Sequence, residues 1–329
     1  MRATMVGTEV ISDAVRLACR APSLHNSQPW SLGIEGDTVS LFADADRVVR
    51  AADSSGREAL LACGALLDHF RVAMAAAGFA AKVDRLPNPD NPLHVATIDF
   101  EVMEYVTDGH RQRANAILLR RTDRLPFAAP PDWHVFEEEF RDTVDSYAVR
   151  LDVIPDDLRP QLAEASQLTE SLRLYDSSYH AELDWWTATF EVSEGIPLSS
   201  LVSAAESDRV DVGRTFPVTH HRERRPEVDE DRAKVLVLST YDDTRESVLR
   251  CGESLSAALL DATTVGFATC TLTHITEVPA SRAILAGLID QSNRGLTPQV
   301  LIRVGLTPWI ENVPPPTPRR PMSEVFEVR

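Results

Sequence analysis

The chain has 329 residues, 43% hydrophobic and 25% charged, the balance of a globular protein with room for one large domain or two smaller ones. Its formal net charge of -17 argues against nucleic acid and anionic membranes as partners. No cationic leader precedes an apolar core, and no apolar run reads as long enough to span a bilayer. Cys19, Cys63, Cys251 and Cys270 lack C-x-x-C spacing and sit in apolar runs, so reduced, buried thiols in a cytoplasmic protein are expected.

Apolar residues at Val10, Ile11, Ala14, Val15, Leu17 and Ala18 predict a first helix over 10–19. Pro22 ends it, because the residue before a proline is pushed out of the α region. A polar loop follows, with Ser23, His25, Asn26 and Gln28 pinned between Pro22 and Pro29 and closed by Trp30. A loop held by prolines keeps its donors and acceptors in fixed positions, which suits binding. Ser31 to Ile34 and Thr38 to Phe42 read as a hairpin about Glu35-Gly36-Asp37. A core helix is expected from Arg57 to Ala77, ended by Gly78, and a strand from Leu93 to Phe100.

Residues 57–80 align without gaps onto 245–268. Arg57, Glu58, Leu61, Cys63, Gly64, Leu67, Gly78, Phe79 and Ala80 recur as Arg245, Glu246, Leu249, Cys251, Gly252, Leu255, Gly266, Phe267 and Ala268. Unrelated core helices would not hold Arg-Glu, Cys-Gly and Gly-Phe-Ala in one register, so the chain reads as two related halves about a pseudo-twofold axis. The boundary falls between 1–110 and 111–329.

The halves differ. The second opens with a helix over 114–119 that runs into Arg120-Arg121-Thr122-Asp123-Arg124, and the first half has no such cluster. The second half has no counterpart of the Pro22 to Trp30 loop; its helix from Leu158 continues through Ser166-Gln167. An insertion spans about 176–232, with Trp185-Trp186, a break at Gly195-Ile196-Pro197 and a charged run, His220 to Arg225, that reads as solvated surface. Insertions of this length serve as lids, flaps or dimer contacts. The pair His220-His221 lacks a third ligand and reads as surface, so no metal is expected. A stiff proline-rich tail from Pro314 presents Arg319 and Arg320.

Two arginine clusters in so acidic a chain call for a small phosphorylated ligand, since the guanidinium fork matches two phosphate oxygens. The sequence contains no G-x-G-x-x-G, G-x-x-x-x-G-K, G-x-S-x-G or H-E-x-x-H.

The loop Pro22-Ser-Leu-His-Asn-Ser-Gln-Pro-Trp30, the cluster Arg120-Arg-Thr-Asp-Arg-Leu-Pro-Phe127, the Gly266-Phe267 step and the late Pro-x-Arg tail together resemble the flavin-dependent nitroreductases, in particular the Acg-type NAD(P)H nitroreductases. The resemblance covers nearly the whole chain. It implies an α+β fold of mixed antiparallel sheets flanked by helices, with two subunits fused into an intramolecular pseudo-dimer. It implies one FMN per chain and a lid in the insertion. Arg120, Arg121, Thr122 and Arg124 match the motif that holds the FMN phosphate, and Arg319 with Arg320 match the basic residues that close on it. Pro22, Ser23, His25, Asn26 and Gln28 match the loop that reaches the flavin across the interface. Thr271, Leu272 and Thr273 match the backbone at the isoalloxazine edge, although many relatives carry an acidic residue near the position of Thr273. No catalytic side chain is implied.

Three functions follow from the resemblance. In the first, NAD(P)H reduces FMN, which passes electrons to a nitroaromatic or quinone. In the second, the protein sequesters FMN beneath a closed lid. In the third, the fold is a scaffold for another protein. The resemblance leaves open whether fused chains pair further.

Overall fold

A computed structural model describes residues 6–187, 194–220, 222–290, 294–308 and 315–328. Pro314, His221 and positions 188–193 of the insertion lie outside the described residues. The first half runs α1 (Thr8–Ala18), β1 (Trp30–Glu35), β2 (Thr38–Ala43), α2 (Arg57–Ala76), β3 (Phe79–Arg85) and β4 (His94–Val102), and α3 (Asp108–Leu119) crosses the boundary at 110 into the second. The second runs α4 (Trp133–Val144), β5 (Val149–Val153), α5 (Arg159–Arg173), α6 (Ser177–Trp186), α7 (Ala204–Ser207), β6 (Lys234–Thr240), α8 (Arg245–Thr264), β7 (Ala268–Leu272), α9 (His274–Glu277), α10 (Pro279–Ile289), β8 (Thr297–Gly305), α11 (Met322–Val325) and β9 (Phe326–Val328).

The fold is α+β, as the sequence suggested, and its two sheets are topological copies. One has the order β3-β4-β2-β1-β9 and the other β7-β8-β6-β5. β1 to β4 correspond in order to β5, β6, β7 and β8, and every pairing among them is antiparallel. Both sheets shift register in the same strand, at Leu41/Phe42 in β2 and Leu238/Ser239 in β6. β9 has no counterpart and adds to β1 in parallel, Leu32 facing Phe326. The last strand of the chain therefore lies in the sheet of the first half, which brings the preceding arginines back to the Pro22 loop.

β3 and β7 were not anticipated. They begin directly after Gly78 and Gly266, whose left-handed φ of 93° and 86° ends the preceding helices and turns the chain into a strand. α4 was also missed, as was the first turn and a half of α3, which Thr107 starts with a capping box to His110.

α2 corrects one expectation. It has 20 residues and a mean hydropathy of 1.4, enough by length and composition to cross a membrane. Here it is a core helix: Leu60, Leu61, Ala62, Cys63, Gly64, Ala65, Leu66 and Leu67 are all buried in succession. One face packs on α8, and the backbones nearly touch. A Cβ on Gly64 would lie 2.2 Å from the Leu249 carbonyl oxygen, and one on Gly252 2.1 Å from that of Leu61. Both glycines belong to the repeat, so each helix offers the other the same groove. The core continues from this crossing to the inner faces of both sheets. All four cysteines are free and buried, and burial pushes the Cys63 thiol up to about 12 and Cys19 to about 11, leaving both inert near neutrality.

Gly64→Ala or Gly252→Ala should lower stability by about 3 kcal/mol or more, the upper end for overpacking, because backbone atoms must move apart. Gly287→Ala, on α10 with nothing within 4 Å of the new Cβ, should stabilise by about 0.5–1 kcal/mol. Urea unfolding of the three variants checks both signs.

Candidate functional site

After α1 the chain makes a 3-10 turn over Leu24–Asn26, and His25, Asn26 and Gln28 have φ of 51°, 60° and 50°. Such strain persists only where the surroundings fix it. The Gln28 N–H donates to Ser23 Oγ at 3.0 Å, and Gln28 Nε2 donates to the Asn26 carbonyl at 3.2 Å. The Arg320 N–H donates to Gln28 Oε1 at 2.9 Å, while its guanidinium donates to the carbonyls of Gln28 and Trp30. Asn26 Nδ2 donates to the carbonyls of Gly195 and Pro318, tying the loop to the insertion and the tail. Gln28 and Arg320 are thus braces behind the loop, and neither borders the two cavities in front of it.

In front of the loop is a small pocket of about 60 Å³ lined by Arg20, Arg120, Arg121, Arg124 and Arg319, together with Pro22, Ser23, Asn26 and Thr122. Among the described residues no carboxylate pairs with any of these five guanidiniums. They donate to carbonyls instead: Arg319 to Cys19, Arg20, Thr317 and Pro318 at 2.8–3.1 Å, Arg120 to Arg20 at 3.0 Å, Arg20 to Thr317 at 3.1 Å. Arg120 is 5% exposed, and its Nε and Nη1 have no partner. Burial, then the neighbouring Arg20 and Arg121, bring its pKa down to about 10; burial and the same cluster hold Arg319 well below its ordinary value. Elsewhere this chain pairs buried arginines with acids, as in Arg303–Asp231 at 2.6 Å. A carboxylate-free cluster of this kind suits an anion with several acceptor oxygens, such as a phosphate.

Pro22, Ser23, Thr122 and Arg124 also border a cavity of about 730 Å³, the size of a small-molecule site. The remaining walls come from Glu58, Leu61 and Ala62 of α2, from Thr271, Leu272, Thr273 and His274 at the end of β7, and from Val202 to Phe216 of the insertion. His25 is 6% exposed, and both its ring nitrogens lack partners. Burial, with Arg214 and Arg124 nearby, holds it well below its ordinary pKa, so the imidazole is neutral, with one donor and one acceptor to offer a ligand. His274 is held down in the same way by burial and Arg214, and its Nε2 is 2.8 Å from Ser166 Oγ.

The insertion is fastened over this cavity. Arg214 donates to Tyr179 Oη at 2.8 Å and to Thr273 Oγ1 at 3.3 Å, and forms a buried ion pair with Glu277. Thr273 in turn donates to Glu277, four positions on, at 2.7 Å. Glu182 accepts the N–H groups of Ala51 and Ala52, and the Arg124 guanidinium lies 4.9 Å over the Phe216 ring. The run His220 to Arg225 is not simply solvated surface. Arg224 pairs with Glu206 at 2.9 Å, and the buried Arg225 pairs with Asp123 and donates to the Pro126 carbonyl. One mouth stays open: Gln167, Ser171, Asp208, Asp211 and Thr215 on the cavity rim are exposed.

At the pseudo-symmetric position the large cavity's Thr273 is replaced by an ion-paired arginine. Continuing the repeat without a gap, Arg85 is the counterpart of Thr273. It donates two bonds to Glu253 at 2.6 and 2.8 Å, and Arg71 joins at 3.0 Å. Sequence reasoning missed Arg20, Glu58, Arg214, Glu277 and His274. Arg20 had a signal, since it opens the loop motif beside the other cluster arginines; Arg214 had none, being one basic residue within an insertion.

Arg214→Met leaves Glu277 unpaired in a buried setting. Such losses cost about 3 kcal/mol or more, so amide exchange over 198–216 should accelerate roughly a hundred-fold by mass spectrometry. Unchanged exchange would mean that other contacts hold the insertion down.

No family model matches the sequence. The chain is 68% identical over 326 residues, 99% of its own length and 98% of the other's, to the Mycobacterium tuberculosis protein named "Putative NAD(P)H nitroreductase acg". A second protein of that species carrying the same "Putative NAD(P)H nitroreductase" description is 34% identical over 97% of this chain and 91% of its own. Among solved structures, a "putative nitroreductase" from Anabaena variabilis superposes with a TM-score of 0.50 and 8% identity, covering 91% of this chain and 73% of that one, which bears on the fold alone. A common fold over nearly the whole chain and two-thirds identity to acg lead to one conclusion: the chain belongs to the nitroreductase family, among the acg-type NAD(P)H nitroreductases.

Proposed function

We propose that the chain binds one FMN, with its phosphate among Arg20, Arg120, Arg121 and Arg319 and its ring system in the large cavity, and transfers electrons from NAD(P)H to a nitroaromatic or quinone acceptor. The observation that carries this reading is the carboxylate-free arginine pocket opening into the larger cavity past Pro22, Ser23, Thr122 and Arg124. The orphaned Nε and Nη1 of Arg120 and the unpartnered ring nitrogens of His25 fit a ligand with a dianionic end and a hydrogen-bonding ring system. FMN supplies the exchange of hydride; the protein supplies position and electrostatics. The arginines neutralise the phosphate, neutral His25 offers a hydrogen bond, and Thr271 to Thr273 present the edge of β7. The first half (1–110) contributes the loop and the second (111–329) the arginines. We read the halves as products of an internal duplication, the insertion at 176–232 as a lid, and the compartment as the cytoplasm.

A second reading, sequestration of FMN, is favoured by the ion pairs that fasten the insertion; the mouth at Gln167 and Asp208 favours turnover. Anaerobic NADPH decides between them: bleaching of the flavin band supports reductase activity, and an unbleached band that dithionite still reduces supports sequestration.

Flavin released by denaturation should approach one per chain, and a value near two would sink the one-site reading. Arg319→Ala removes a charge-assisted contact contributing on the order of 1.5–3 kcal/mol, so FMN should bind roughly ten- to a hundred-fold more weakly while riboflavin changes little. Equal weakening of both ligands in a fluorescence titration would assign Arg319 to the fold instead.

A further inference from the structure

Behind the large cavity lies a second, of about 650 Å³, between the N-terminal ends of α2, α8 and α10. Its rim is exposed at Ser54, Ser55, Asp243, Arg245 and Pro279, so solvent reaches it from the opposite side. One residue borders both cavities: Glu58, in the first turn of α2. Its side chain is 3% exposed, which makes it a carboxyl set into a wall between two chambers.

The charges around it do not balance. Arg57, on the same helix, pairs with Glu58, and Arg214 of the insertion pairs with Glu277 of α9. Against these two guanidiniums stand Glu58, Glu277 and Asp53 before α2, while Glu170 of α5 and Arg124, which has no carboxylate partner among the described residues, both line the large cavity. Farther out in the second cavity, Arg282 is matched by Asp243, and Arg245 is exposed. Buried carboxyls in excess of their cations retain a proton, because two adjacent uncompensated negative charges are costlier than one neutral acid. Burial above all pushes Glu58 up to about 8; Arg57 and Arg214 oppose the rise, and Glu277 and Asp53 add to it. The buried histidines of the large cavity, His25 and His274, are neutral imidazoles and hold no extra proton to give.

We propose that Glu58 is the proton donor to the acceptor bound in the large cavity, and that it is reloaded through the second cavity. The inference rests on the reductase reading above. Reducing a quinone to a hydroquinone takes one hydride, originating in NAD(P)H, and one proton. The O–H bond of Glu58 breaks as an O–H bond forms on the acceptor oxygen. The carboxylate left behind then takes a proton from solvent in the second cavity.

The first test needs no turnover. The infrared spectrum of the wild-type protein should contain a protonated carboxylic carbonyl band at pH 7 that disappears as pH rises through about 8. The band should be absent from Glu58→Gln and retained in Glu58→Asp. In the FMN-loaded protein, menadione reduction should be level below pH 8 and fall above it as Glu58 loses its proton. Glu58→Gln should lower kcat by about a hundred-fold, the ordinary contribution of a positioned acid, with KM little changed. Absence of the band at pH 7, or its survival in Glu58→Gln, overturns the proposal. So does an unaltered kcat in a Glu58→Gln protein that binds FMN like the wild type, and in that case the reductase reading stands. A wild-type protein that takes up no FMN refutes that reading, and the donor role falls with it. If Glu58→Gln fails to fold, the wild-type infrared titration and Glu58→Asp still decide where the proton sits.

Discussion

The backbone contact of α2 with α8 at Gly64 and Gly252 sets the geometry of everything else. No side chain separates the helices there, so the two sheets are held at one distance and in one orientation. This crossing brings the Pro22 loop of the first half against Arg120 to Arg124 of the second. Neither segment forms a pocket by itself. The pocket is a property of the crossing, and a core substitution far from its lining can abolish it.

The arginine cluster shows a second constraint. Burying guanidiniums beside one another is unfavourable unless an anion joins them. The protein holds Arg120 and Arg319 in place with backbone carbonyls, which orient them without cancelling their charge. Preorganisation of this kind weakens the empty protein and strengthens the loaded one. The insertion follows the opposite rule. Its arginines Arg214, Arg224 and Arg225 are each matched to a carboxylate, so its position over the cavity does not depend on an anionic ligand.

Much of this was legible in the sequence. The hairpin, the two repeat helices and the two halves followed from alternation, apolar length and register. β3 escaped because its inward face, Phe79, Ala81 and Val83, is only half-buried and ends in Arg85, whereas α4 was legible in the stripe Trp133, Phe136, Phe140 and Val144 and was overlooked. Within the site, the loop and the first arginine cluster stood out as dense local motifs. The choice between Arg319 and Arg320 could not be made, since neighbours in an extended segment point to opposite sides and only the register with the loop decides which faces the pocket. The partners of Arg225 and Arg214 were hidden for another reason: Asp123 and Glu277 lie 102 and 63 residues away.

The Arg85–Glu253 pair has a consequence for symmetry. It joins β3 of one half to α8 of the other, at the counterpart of the Thr273 wall of the large cavity. In an assembly of two identical chains the same pair would form twice, once on each side. A chain in which the two halves have separate sequences can carry such a pair on one side and leave the large cavity on the other. Fusion therefore does more than tether two subunits: it lets one interface hold two different states of the same architecture at once.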